Sequence, residues 1–223
     1  MRLLMVAPPG AGKGTQGALI AAHFGIPHIA TGELLRDHVA RRTEIGRRIE
    51  QHVESGDLIS DELVMDLVRR EYDVAKAAGG GYVLDGVPRT MDQARALYLI
   101  GVELKMNANV VLHLKANDEE LTRRLLARAA IEHRSDDTAD VIEQRLKLYH
   151  QVTHPIIDWY AERGILVTVD AMRPAAAVGR DILENLEVMR TLVDYVPENL
   201  RRPIDLTDLH TAFGHDTVAS RMQ

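Results

Sequence analysis

The chain has 223 residues, 46% of them hydrophobic, and its 27 Lys and Arg against 33 Asp and Glu leave a formal net charge of -6. That length can bury one substantial core with a small insertion more readily than two domains, and the acidic balance argues against general nucleic-acid binding. With no cysteine, disulfides, thiolate zinc sites and cysteine nucleophiles are excluded; with no apolar run near a membrane span and no signal-peptide pattern after Met1-Arg2, the expectation is a cytoplasmic protein without membrane partners.

The first predicted strand, Leu3 to Val6, runs into Ala7-Pro-Pro-Gly-Ala-Gly-Lys-Gly-Thr-Gln16 and then a helix. Glycines let successive backbone N–H groups turn inward, and the helix N-terminus adds partial positive charge where phosphate oxygens would sit. Gly10, Ala11, Gly12 and Gly14 would supply the cradle, Lys13 a mobile full charge for the outer phosphates, and Thr15 a hydroxyl near a nucleotide-borne Mg2+. The general phosphate-loop pattern begins with Gly and has Ser or Thr directly after Lys. Here Ala7 stands first and Gly14 intervenes before Thr15. The competing reading of these residues is a Gly/Pro turn between strand and helix.

Pro27 to Ile29 is a weaker strand candidate, and a polar, helix-rich segment follows from about Thr31 to Ala78. Within it Ser60-Asp61-Glu62 reads as an N-cap with an acidic first turn. The third strand, around Tyr82 to Leu84, ends in Asp85 and turns through Gly86-Val87-Pro88-Arg89-Thr90. Val110 to Leu114 is the next strand, and a helix with Asn117 and Glu120 at capping-box spacing reaches about Ala129. A long amphipathic helix is expected over Ala139 to Ala161, then a last strand over Ile165 to Val169. Strands alternating with helices predict a parallel sheet covered by helices, with ligands at the carboxyl ends of the strands.

Four arginines cluster around the short connection between the two later helices. Arg124 and Arg128 are four apart and share a helix face, while Arg134 and Arg145 bracket the next helix start with Asp136-Asp137 between. Surface ion pairs such as Glu120 to Arg124 compete with a phosphate-binding role. Arg123 is read as solvated. None of the ten histidines has metal-ligand or catalytic-triad spacing.

Several stretches together resemble the adenylate kinases. The spacing P-G-A-G-K-G-T is similar to their variant of the phosphate loop, Ala30-Thr31-Gly32-Glu33-Leu-Leu-Arg36 to their S-T-G-[DE]-x-L-R segment, and Asp85 to Thr90 to D-G-F-P-R-T. Arg134-Ser-Asp-Asp137 matches their R-x-D-D, and Asp170-Ala-Met-Arg-Pro174 their D-G-x-x-P. The likeness runs from about Met1 to Leu186. It implies an α/β fold, a phosphate-loop domain with a five-stranded parallel sheet flanked by helices, a helical monophosphate-binding insertion at about 31–60, and a short lid at about 129–138 without zinc. Residues 187–223 are left as a C-terminal extension of unassigned role.

The resemblance also implies the chemistry, reversible transfer of the γ-phosphoryl group of Mg-ATP to AMP. Lys13, Asp85, Arg89, Arg124, Arg134 and Arg145 would be catalytic, with no direct metal ligand and Mg2+ carried on ATP near Thr15 and Asp85. The ATP site would add Gly10, Ala11, Gly12, Gly14, Thr15, Arg124, Arg128 and the Arg173 carbonyl. The AMP site would comprise Thr31, Arg36, Leu58, Ile59, Gly86, Arg89, Gln93, Arg134 and Arg145, with Gln93 reading the adenine edge. Fixed guanidinium groups suit a transition state whose charge spreads over three equatorial oxygens, and an ionised phosphate nucleophile needs no general base.

Related pyrimidine monophosphate kinases carry Ala at the Thr31 position and Asn after Pro-Arg, so Thr31 and Thr90 favour AMP over UMP or CMP. A non-catalytic nucleotide-binding regulatory module is the rival from another class. Four positions depart from the family pattern: Ala7, Val87, Ala127 and Ala171, each replacing Gly except Val87, which replaces Phe. In the tail Ala177, Val178, Ile182, Leu186, Met189 and Val193 form a helical stripe, and Leu206, Leu209 and Phe213 fall at helical spacing. A monomer is expected, with the tail either docking back on the core or binding a second protomer.

Overall fold

A computed structural model describes residues 1–132 and 137–195, without the side chains of residues 132 and 191–195. The chain divides into two units, Met1–Glu187 and Val188–Gln223. In chain order the described elements are β1 (Arg2–Val6), α1 (Lys13–Phe24), β2 (His28–Ala30), α2 (Thr31–Ala40), α3 (Glu44–Ser55) and α4 (Asp61–Ala77). They continue with β3 (Tyr82–Asp85), α5 (Met91–Leu104), β4 (Val110–Lys115), α6 (Asp118–Glu132) and α7 (Ala139–Leu148). A π-helical turn (Tyr149–Thr153), α8 (Pro155–Glu162), β5 (Leu166–Asp170) and α9 (Ala175–Tyr195) complete them.

The five strands form one parallel sheet in the order β2-β3-β1-β4-β5. The central strands β1, β3 and β4 are buried on both faces, so they are mostly apolar instead of alternating with polar residues. Leu4, Val6, Tyr82, Leu84 and Val111 join a core that includes Val68 and Tyr72 of α4, Leu97 and Ile100 of α5, and Ile156 and Tyr160 of α8. The alternate residues Leu3, Met5, Val83 and Leu112 are equally buried and point the other way. In α9 the stripe Val178, Ile182 and Leu186 is buried. Leu35, Ile49 and Leu67 make a separate small apolar core between α2, α3 and α4, packed by Val39, Ile45, Val53 and Leu63.

Three local expectations are corrected. Ser60 precedes α4 but its side chain makes no capping hydrogen bond; the carboxylate of Asp61 is turned toward α5 instead. The helix expected to end near Ala129 continues to Glu132. The single helix expected over Ala139 to Ala161 is interrupted, because Pro155 has no N–H to donate and its ring crowds the preceding turn. The chain widens into the π-helical turn, His154 N–H bonding to the Tyr149 carbonyl at 2.8 Å, and α8 restarts with Pro155 in its first turn.

Candidate active site

The phosphate loop joins the buried end of β1 to α1. Gly10 and Gly12 hold φ of +83° and +92°, and Gly12 is the N-cap of α1, so neither accepts a side chain without strain. Ala7 and Ala171 are different: among the described residues only Arg42 and Lys105 are non-glycines with positive φ. Both alanines therefore sit in ordinary backbone conformations, and the glycines they replace are not required there. Lys13 donates to the carbonyls of Ala7 (2.9 Å) and Pro8 (3.2 Å). Burial lowers its pKa to about 8; Asp85 opposes that shift, and Arg89, Arg128 and Arg145 add to it.

Across the cleft, β3 delivers Asp85 and Gly86. Gly86 has φ +90°, and a Cβ there would collide with Oγ1 of Thr31, which itself donates to the Asp85 carbonyl at 3.0 Å. Asp85 Oδ1 is buried without a hydrogen-bond partner. Arg89 is fixed at three points: its N–H donates to Gln93 Oε1 (2.7 Å), its carbonyl accepts from Thr153 Oγ1 (2.9 Å), and its Nε donates to the Gly86 carbonyl (2.8 Å). Loss of surrounding water lowers the pKa of its guanidinium, Asp85 opposing and Arg145 adding. Leu58, Ile59, Thr31, Gly86, Val87 and Gln93 line a small side pocket of about 30 Å³.

On the third wall, Glu120 is gripped by Arg123 through Nε and Nη2 and by Arg124 through Nε, each at 2.7 Å. Hydrogen bonds from Arg123, then Arg124, hold its carboxyl down at about 2. Arg123 is as exposed as expected, yet it also lines the cleft. Asp137, whose side chain is fully buried, binds Arg128 through two hydrogen bonds (2.8 and 2.9 Å) and Arg145 through one (2.9 Å). Arg134 lies outside the described residues. Ala127 is exposed on α6, away from any demand for glycine.

These walls enclose a cleft of about 880 Å³. Gly10, Ala11, Gly12, Lys13, Gly14, Thr15, Arg36, Asp85, Gly86, Arg89, Arg124, Arg128, Arg145 and Arg173 all reach it, so one space gathers residues drawn from six separate stretches of sequence. The family model for adenylate kinase matches residues 5–165. The chain belongs to the adenylate kinase family. Among similar proteins, the adenylate kinase of Maricaulis maris (strain MCS10) is 41% identical over 187 residues, covering 84% of this chain and 99% of the relative. That of Thermobifida fusca (strain YX) is 40% identical over 180 residues, covering 80% and 94%. That of Synechococcus sp. (strain WH7803) is 42% identical over 177 residues, covering 79% and 93%.

Within this adenylate kinase fold some contributors were not legible beforehand. Asp137 stands in the sequence as half of an acidic pair, with no signal there that its carboxylate is buried. Thr153 and Asp61 support the Arg89 segment from 64 and 29 to 32 residues away. Gln16, 3% exposed, ties α1 to the first residue of α9 by donating to the Ala175 carbonyl at 2.9 Å. The Thr31 and Thr90 hydroxyls, expected to mark an adenine acceptor, both have internal partners, Thr31 on the Asp85 carbonyl and Thr90 on Asp61 while capping α5.

Proposed function

We propose that this member of the adenylate kinase family transfers the γ-phosphoryl group of Mg-ATP to AMP, giving two ADP, and runs equally in reverse. The observation that carries the reading is electrostatic convergence: Asp85, Arg89, Arg128 and Arg145 all act on the ammonium of Lys13 within one cleft. So many cations around one space are costly unless an anion fills it, and a pair of nucleotide phosphates is such an anion.

In this reading the N–H groups of Gly10 to Thr15 and Lys13 hold the donor phosphates, and the carbonyl of Arg173 accepts from the ATP adenine. Arg36 and Arg89 hold the AMP phosphate, while Thr31, Leu58, Ile59, Gly86 and Gln93 surround its base. Arg124, Arg128, Arg134 and Arg145 neutralise charge on the transferring group. Helices α2 and α3 serve as the acceptor-binding insertion, and the 129–138 segment as a short lid. Because the attacking phosphate oxygen is already ionised, positioning and charge stabilisation suffice. The buried, unpartnered Asp85 Oδ1 is a hard oxygen acceptor suited to the hydration shell of a Mg2+ ion. That ion, bound with ATP, would screen the phosphates and so favour approach of the nucleophile. Among the described residues no cluster of three or more His, Cys, Asp or Glu could hold a metal by itself. Nor, among them, is any helix long and apolar enough to cross a membrane; we place the enzyme in the cytoplasm.

The test is product formation followed by chromatography, with Mg-ATP and each of AMP, dAMP, GMP, CMP and UMP. ADP formed fastest with AMP supports the reading. Preference for UMP or CMP replaces it with pyrimidine monophosphate phosphorylation, and ATP binding without transfer replaces it with a regulatory module.

A further inference from the structure

Gln93 is 2% exposed and lines the small side pocket beside Thr31, Leu58 and Ile59. A glutamine amide can present oxygen or nitrogen to a ligand simply by turning over, so a buried glutamine that reads a base needs something to fix it. Two groups do so here. The backbone N–H of Arg89 offers only a donor and takes Oε1 at 2.7 Å; the carboxylate of Asp61 offers only acceptors and takes Nε2 at 2.7 Å. Turning the amide over would set N–H against N–H and oxygen against oxygen at a buried position. Asp61 is in turn held by its second oxygen, which accepts from Thr90 Oγ1 at 2.9 Å while Thr90 caps α5 at the Gln93 N–H.

We propose that Asp61 is a positioning residue for acceptor choice: through Gln93 it selects a 6-amino purine monophosphate over a 6-oxo one. With the amide locked, Oε1 remains able to accept and Nε2 to donate, but they cannot exchange places. Adenine offers an amino donor at C6 and an acceptor at N1, which match that arrangement. Guanine offers an acceptor at C6 and a donor at N1, and would need the amide reversed. Such discrimination is large where a buried polar group would be left unpaired or opposed by the wrong ligand. The proposal rests on the reading of the side pocket as the acceptor-base site. It assigns to Asp61, the first residue of α4, a role beyond the first-turn acidity apparent in sequence.

The test is steady-state kinetics of the full chain with AMP and GMP as acceptors, alongside thermal melting. Gln93→Leu tests the underlying reading and is expected to raise the KM for AMP at least on the order of tenfold while leaving that for ATP unchanged. Asp61→Ala is expected to lower the AMP-to-GMP ratio of kcat/KM by on the order of tenfold, through loss with AMP and gain with GMP. Asp61→Asn, which keeps the size but can offer N–H to Gln93, is expected to lower the ratio less and carries the same test if the alanine variant does not fold. A merely structural role would depress both acceptors alike together with the melting temperature. If Gln93→Leu matters but both Asp61 variants keep the wild-type ratio, the lock is overturned and the pocket reading stands; if Gln93→Leu changes nothing, the pocket reading falls and the proposal with it.

Discussion

Lys13 has its chemistry altered strongly by folding. Its pKa of about 8 lies below the ordinary 10.5, so between those values the folded chain holds fewer protons than the unfolded one. Folding stability from this group therefore rises with pH across that window, and it is least below about pH 8, where the buried ammonium is charged. Nucleotide binding reverses the sign, because phosphates favour the charged form. We expect the Kd for ATP to rise about tenfold between pH 7 and 9, with proton uptake seen by calorimetry near pH 8.5 in buffers of differing ionisation enthalpy. Lys13→Met should remove both the affinity and that pH dependence. Asp137 governs a second pair of charges. Asp137→Asn leaves one acceptor oxygen for two guanidinium groups, and we expect kcat to fall on the order of a hundredfold in steady-state assays, with KM for either nucleotide changing less. Unchanged kcat would mean that Arg128 and Arg145 find their places without it.

Between elements, one polar link is a buried chain from α4 through β3 to the turn after α5. Tyr72 donates to Tyr82 at 3.0 Å, and Tyr82 donates to the Met106 carbonyl at 2.8 Å. Burial raises the pKa of both phenols. Tyr82→Phe would leave a buried hydroxyl and a buried carbonyl unpaired, and should cost about 1–3 kcal/mol of stability in urea denaturation without changing kcat. The start of α6 was legible in sequence from its cap, Asn117 Oδ1 accepting from the Glu120 N–H at 2.9 Å. Thr90 and Thr138, which cap α5 and α7 with side-chain hydrogen bonds, carried no such signal. The helices were less legible after Lys147, because the apolar spacing of Tyr149 to Tyr160 persists through the π-helical turn and only Pro155 signals the break. That turn matters to the site, since it presents Thr153 to the Arg89 carbonyl.

For the molecule as a whole, the all-parallel sheet β2-β3-β1-β4-β5 brings the carboxyl ends of β1, β3 and β5 to one end, each running directly into cleft-lining residues: Ala7 onward, Asp85 to Arg89, and Ala171 to Ala175. Ligands at the carboxyl ends of parallel strands follow from that topology. The sheet and cleft belong to the unit Met1–Glu187, and the Maricaulis maris relative is matched over 99% of its own length by 187 residues of this chain. A chain truncated after Tyr195 is therefore expected to keep its melting temperature within a few degrees and its kcat within about twofold. A large loss of either would give residues 196–223 a part in folding or turnover.

What sequence alone determined was a set of features that depend on neighbours along the chain: the glycines and Lys13 of the phosphate loop, the apolar strands, and the turn from Asp85 to Arg89. Glycine-rich turns and strand patterning are local, so residue type and spacing express them, whereas the Ser60 cap yielded to the tertiary contacts of Asp61. Tertiary structure decided which polar groups meet across the fold. It selected Asp137 as the buried partner of Arg128 and Arg145, and it showed that Ala7 and Ala171 need no positive φ. It also joined Asp61 to Gln93 across 32 residues of chain. Hydrogen bonds and ion pairs over such separations depend on distances of a few ångströms set by packing, and no periodicity in a sequence records them.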